Sequence, residues 1–209
     1  MRSGSLLLAF AVSIGLFSAE RPKPKPSVEE PPSEARIYAI NKNYTTLSFT
    51  ATKWKVFKEE GIFKDFSGTL AYSASNPAEC KIDVIVQAES LDTRNSTRDN
   101  VLRSEDFFDV GKFPALAFHS TRIASNGKGS YEVAGNLTIH GTTKLIIIPV
   151  QTIGVREMPD IGEFAGFETT FTIDRRDFGV LGTRWSGNTL AIDPTITIHL
   201  LIGGVREKK

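Results

Sequence analysis

The feature that most restricts this chain is an apolar/polar alternation with a period of two residues. Ile82, Val84, Val86 and Ala88 alternate with Lys81, Asp83, Ile85 and Gln87, and Ile192, Ile196, Ile198, Leu200 and Ile202 show the same spacing near the other end. Successive side chains of a strand point to opposite faces, so the pattern predicts half-buried β-strands. Extended along the chain after Ala35, it gives about eight strands, at roughly 38–56, 62–73, 80–90, 115–124, 130–140, 143–154, 163–174 and 191–203. Asn126-Gly127 with Gly129, and His140-Gly141-Thr142, supply tight reversals, because these residues tolerate positive φ. Short connections imply antiparallel neighbours. A meander of long strands either stacks as two sheets or closes on itself, and closure removes the exposed edges. The expectation is therefore an all-β, eight-stranded antiparallel barrel, just wide enough to be filled by side chains or to hold one small ligand.

One stretch breaks the alternation. Arg98 to Phe118 reads as a short charged helix, capped by Asn95 or Ser96, then the aromatic pair Phe107-Phe108, then Gly111 and Pro114, which stop any helix before Leu116 and Phe118 resume a strand. This places a short helical insertion between strands 3 and 4. Paired aromatics bury a large apolar area on a short segment, and closing the open end of a hollow β structure is the simplest use for them.

Residues 1–19 join one early arginine, an apolar run from Leu6 to Phe17 and the small residues Ser18-Ala19, the pattern of a secretory signal peptide. The run is shorter than the ~20 apolar residues that span a bilayer, so no stable transmembrane span is expected. Residues 20–36 carry five prolines and alternating charge and read as an extended linker, leaving 37–204 for the barrel. A periplasmic or secreted location follows. Cys80, the single cysteine, has no disulfide partner within the chain.

Several function classes fit poorly. A net charge of +1 without a cluster of Lys and Arg argues against nucleic acid as a partner. His119, His140 and His199 fall on separate strands without metal-ligand spacing, so no metal site is expected. Nucleophile elbow, P-loop and dinucleotide fingerprint are all lacking, which points away from an enzyme and from a bound cofactor. Arg98, Asp99, Arg103 and Arg176 are open to two readings: contacts to a pyrophosphate, or surface ion pairs and caps.

The order of motifs resembles the bacterial YceI-like proteins, a lipocalin-like barrel family. The match lies in Tyr38-Ala-Ile with Phe49, Gly61-Ile-Phe-Lys-Asp-Phe-Ser-Gly68-Thr, the run from Arg98 to Asp109, Phe113-Pro-Ala-Leu-Ala-Phe118, Gly135-Asn-Leu-Thr-Ile-His-Gly141 and Arg176-Asp-Phe-Gly179. The resemblance implies an exported barrel that binds an isoprenoid-like amphiphile, such as a polyprenyl chain or quinone tail, for carriage, storage or sensing, and it suggests a homodimer. The alternative is a hydrolase or isomerase acting on a similar lipid. Two positions depart from the family pattern: Tyr44-Thr45 stand where a His-Ser pair is common, and Val101 where many members have His.

For a lipid-binding barrel, the alternating faces nominate Leu47, Phe49, Phe66, Ile82, Val84, Val86, Leu116, Phe118, Phe167, Phe171, Ile173, Ile196 and Ile198 for the wall. Trp54, Phe57, Phe107, Phe108, Phe178 and Trp185 lie near strand ends or loops and are candidates for the rim. A core filled by these same side chains is the competing expectation.

Overall fold

The alternating segments form strands that close into a ring. A computed structural model of the protein describes residues 34–182 and 191–207. The predicted signal peptide, the linker through Ser33 and Trp185 lie outside them. The strands are β1 (Arg36–Ile40), β2 (Thr46–Lys53), β3 (Phe57–Phe63), β4 (Phe66–Tyr72), β5 (Lys81–Gln87), β6 (Leu91–Asp92), β7 (Ala115–Gly127), β8 (Ser130–Ile139), β9 (Thr142–Met158), β10 (Gly162–Asp174) and β11 (Ile192–Glu207). The ring order is β1-β4-β5-β7-β8-β9-β10-β11, and β11 pairs back onto β1, so eight antiparallel strands form a closed barrel. β2 and β3 continue the walls of β1 and β4 towards the α1 end as a hairpin, β2 pairing with β11, and β6 adds a short edge to β3.

Two expectations about the first strands need correction. The segment 38–56 is not one strand: a 3-10 turn at Lys42–Tyr44, capped by the Asn41 side chain on the Asn43 amide, separates β1 from β2. The second strand begins at Phe57, not near 62, and is interrupted between Phe63 and Phe66. The reversal between β2 and β3 sits inside what the alternation took for continuous strand. Lys53 pairs with Phe57, and the Val56 amide donates to the Lys53 carbonyl at 3.1 Å. Trp54 (φ 52°) and Lys55 (φ 57°) occupy the left-handed region that such turns normally give to Asn or Gly. His140 likewise lies in a turn and not on a strand, with φ 50°.

The helical insertion is α1 (Ser96–Arg103). The Asn95 side chain accepts from the Arg98 amide at its start, and the Ser104 amide donates to Val101 at its end. Asp99, buried in its first turn, accepts from the Thr93 amide at 2.9 Å and from the Thr93 hydroxyl, so helix and β6 lock together. The ladder between β9 and β10 stops at Gln151–Glu168, beside Pro149, which has no amide hydrogen to give.

The interior has two ends. At the end formed by the start of β1, the β7–β8 turn and the β9–β10 turn, Tyr38, Leu70, Tyr131, Val133, Ile148, Val150, Ala165 and Phe167 make a buried cluster. At the α1 end, Phe107, Ile139, Phe178 and Val180 form a second one, backed by Val101, Leu102, Phe108 and Leu116.

Candidate functional site

Between the two clusters the barrel is hollow. A lower cavity of about 170 Å³ is followed by an upper one of about 470 Å³ that opens beside α1. Among the described residues, Phe49, Phe63, Leu116, Ile139 and Ile198 line both and mark the border between them. Of the wall residues nominated from the alternation, Leu47, Phe66, Ile82, Val84, Val86, Phe118, Phe167 and Phe171 face the lower cavity, while Ile173 and Ile196 face the upper one, joined by Phe49, Leu116 and Ile198 on the border. Among the rim candidates, Phe107, Phe108 and Phe178 line the upper cavity. Trp54 and Phe57 line neither. They sit on the β2–β3 hairpin tip, 58% and 55% exposed, with ring centroids 6.3 Å apart.

The alternation missed a second set of lining residues. Tyr72, Tyr131, Val133, Ile148 and Val150 reach the lower cavity, and Phe63 both. Period two marked them as readily as the others, but only strand order shows which of the two faces is inward.

Glycines keep the lumen open. A Cβ at Gly61 would fall 2.6 Å from Phe49 Cε1 and 3.0 Å from Thr93 Cγ2, and one at Gly135 would fall 2.6 Å from Phe118 Cε2. Each phenyl ring therefore occupies the space that a side chain at the glycine on the neighbouring strand would take.

Most charged groups of the interior lie near its ends, while the hydroxyls of Thr45 and Thr169 on the lower cavity wall are tied to backbone groups of Gly203 and Pro149. At the lower end, Glu163 is buried and accepts from both the Tyr38 hydroxyl and the Arg36 guanidinium. Burial first, and then the Glu163 carboxylate, push the Tyr38 phenol well above its ordinary value. Tyr131 is raised in the same way by burial and by its hydrogen bond with Tyr72, whose hydroxyl is 3.1 Å away. Cys80 lines the lower cavity half-buried, and burial raises its thiol pKa, the opposite of what a reactive cysteine needs.

At the upper end the four charged residues with two readings have internal partners. Arg98 binds Glu59 across the mouth and gives its remaining donors to the Thr93 hydroxyl and carbonyl, each at 2.8 Å. Asp99 holds Thr93, as described. Arg103 donates to the carbonyls of Glu89 and Leu91, and Arg176 makes a local pair with Asp174. These contacts favour ion pairs and caps over a preformed pyrophosphate clamp. Arg175, which the sequence did not single out, is buried and donates to the carbonyls of Val180, Leu181, Ile192 and Asp193, with burial lowering its pKa. It stitches the approach to β11 onto the end of β10. Among the described residues no group of three or more His, Cys, Asp or Glu converges as a metal site would require.

A hollow barrel with motifs in this order has known relatives. Residues 38–202 match the family described as YceI-like domain. The chain belongs to this family. A UPF0312 protein of Pseudomonas syringae pv. tomato is 40% identical over 135 residues, covering 65% of this chain and 70% of that protein. A UPF0312 protein of Yersinia enterocolitica is 40% identical over 151 residues, 71% of this chain and 74% of its own length. Among solved structures, the YceI protein of Campylobacter jejuni superposes with a TM-score of 0.62 at 31% identity, covering 71% of this chain and 85% of that one. Two more distant structures share the fold. Burkholderia cenocepacia BcnA has a TM-score of 0.70 at 22% identity, over 78% of this chain and 98% of that one. A polyisoprenoid binding domain from Saccharophagus degradans has a TM-score of 0.61 at 15% identity, over 80% of this chain and 97% of that one. The YceI-like barrel of the present chain thus shares its fold with these two proteins.

Proposed function

We propose that this YceI-like barrel is an exported protein that holds a flexible isoprenoid-like chain, a polyprenyl group or a quinone tail, in its lumen for carriage, storage or sensing. The observation that carries this reading is the lumen itself, a largely apolar space whose charged side chains lie mostly at the α1 mouth. A polar guest would lose its water there without gaining partners, whereas each buried CH₂ contributes ~0.8 kcal/mol. Enclosing about fifteen carbons gives roughly 12 kcal/mol gross, in the range of tight binding before ordering costs are subtracted. The upper cavity, with Lys53, Asn95, Thr97 and Arg98 on its border, is the place for a head group. The Saccharophagus domain, described as polyisoprenoid binding, supports the ligand class by analogy of fold. The N-terminal segment with signal character supports export. The resemblance to the family extends the reading to a homodimer.

Binding is favoured over catalysis on the same lipid because, of Asp99, Arg98 and Asp177, the candidates for polar machinery in an enzyme, Asp99 and Arg98 are engaged in fastening α1. Organic extraction of the natively purified protein followed by mass spectrometry tests the proposal. An intact isoprenoid should be recovered, and Phe118→Asp and Phe171→Asp should each reduce the yield severalfold. Turnover of a labelled polyprenyl substrate would establish the enzyme instead, and a protein that neither carries nor takes up polyprenol would end both readings.

A further inference from the structure

The β2–β3 hairpin exposes a side-chain set that the barrel does not use. Trp54, Val56 and Phe57 are 58%, 72% and 55% exposed, in a run that reads Lys53-Trp54-Lys55-Val56-Phe57-Lys58. The backbone carries Trp54 and Lys55 in the left-handed region, where a bulky residue is disfavoured, and the tip makes little packing that would offset this. It is nevertheless held in place: the Trp54 amide donates to the Ala191 carbonyl at 2.9 Å, and Lys53 pairs with Phe57 on one side and with Ile192 of β11 on the other. An anchored, outward-pointing aromatic tip is suited to contact with something outside the chain.

Charge narrows the choice of partner. Three lysines interleave the apolar side chains with no acidic residue among them, and the Lys53 ammonium lies 4.3 Å from the centroid of the Trp54 ring. The carboxylates that follow are already matched, Glu59 by Arg98 and Glu60 by Arg94. The tip is therefore apolar and cationic. Tryptophan with flanking lysine is the combination that settles at a bilayer interface, with the ring at headgroup depth and the ammonium groups on anionic phosphates. The tip is also continuous with the mouth, since Lys53, Glu59 and Glu60 border the upper cavity.

We propose that the hairpin tip docks the mouth of the barrel on an anionic phospholipid surface, so that a lipid guest passes between bilayer and lumen with little exposure to water. The docking step stands on the tip alone, whereas the transfer step rests on the lipid-holding reading above.

The test uses the full chain carrying Trp185→Phe, which leaves Trp54 as the only tryptophan. Its fluorescence is followed with vesicles of phosphatidylcholine alone and with about one third phosphatidylglycerol. The expected result is a blue shift of Trp54, quenching by lipids brominated near the headgroup, and partition to anionic vesicles at least tenfold above neutral ones. Trp54→Ser with Phe57→Ser, and separately Lys55→Glu with Lys58→Glu, should each lower partition at least tenfold while thermal melts stay unchanged. Partition that ignores both pairs, or Trp54 that stays unquenched, overturns the proposal. So does a homodimer that the tip substitutions dissociate in sedimentation, because the tip would then be a subunit interface. Extracted lipid with no vesicle binding ends the docking proposal alone. Trp54-dependent docking by a barrel with no extractable lipid supports docking and removes the functional reading.

Discussion

The two ends of this barrel are built from similar residue types put to opposite use. At the lower end, aromatics and charge face inward: Tyr38 is 1% exposed, and Glu163 is satisfied by Tyr38 and Arg36. At the α1 end, the aromatics of the hairpin tip face outward, and the charged residues span the mouth in pairs such as Arg98 with Glu59. A buried polar group with all its partners present seals and rigidifies, whereas surface pairs with one foot in water yield readily. Behind the mouth the α1 end is also fastened, by buried Asp99 and Arg175 and the Phe107–Phe178 cluster, so the contrast is with the hairpin tip and the mouth pairs, where guest exchange is expected.

The largest effect should come from truncating the two ends alike. Tyr38→Ala empties a buried site and strips Glu163 of a donor, and is expected to cost ~3–5 kcal/mol in urea denaturation. Trp54→Ala should remain within ~0.5 kcal/mol of the parent. Equal costs would break the contrast.

Next in size is the lumen between them. Gly61→Ala drives the Phe49 ring off its seat toward the border of the two cavities, since the atoms it meets are side-chain atoms of Phe49 and Thr93. A destabilisation of about 1–3 kcal/mol and a severalfold drop in extracted lipid are expected, with recovery of lipid in Gly61→Ala/Phe49→Leu. If lipid recovery is indifferent to Gly61→Ala, the border between the cavities is not on the guest's path.

Arg98→Ala sharpens the description of the mouth. Removing the tie from α1 to β3 should cost ~1 kcal/mol in stability, and stopped-flow displacement should show faster lipid release at nearly unchanged association. The smallest effect concerns Asp83 on the outer wall. The His119 hydrogen bond, Nδ1 to Oδ1 at 2.9 Å, is the main cause that holds the Asp83 carboxyl below its ordinary pKa. Because the folded value is the lower one, the stabilisation is present above the unfolded carboxylate value of ~3.9 and is lost as pH falls through the folded value. His119→Ala should therefore cost under ~1 kcal/mol at pH 5, with the cost shrinking as pH is lowered through the carboxylate range, by denaturation across that range.

Much of this architecture is legible in the sequence for a simple reason. Closing a meander requires only alternation and reversals, and both leave local signatures, as at Ile82–Val86 and at Asn126-Gly127. The helical insertion is equally local, marked by Asn95 and by the Gly111 and Pro114 stops, whereas the lipid class of the guest comes only from the family resemblance. What stayed hidden was set by tertiary context. The reversal at Trp54–Lys55 carries no Gly or Asn, so nothing local marks it. The break between β1 and β2 follows from Thr45, whose hydroxyl accepts from the Gly203 amide at 3.0 Å across 158 residues. Glu163 reads as a solvated charge until Tyr38 and Arg36 are brought to it from the far end of the chain. The nominated wall was consequently incomplete, and Trp54 and Phe57 were assigned to a rim that they border without lining.

The pairing of β1 with β11, Ala39 with Val205 and Ile40 with Gly204, joins segments at opposite ends of the domain. β2 pairs with β11 along the same seam, so both contacts of the first strands with β11 have to wait for the last strand, whereas the walls from β7 to β11 form between consecutive strands and can zip as the chain emerges. Until then the polypeptide is an open ribbon with two unsatisfied edges. A C-terminal truncation that deletes β11 should consequently yield aggregates and not a weakened barrel, since those edges would then be permanent.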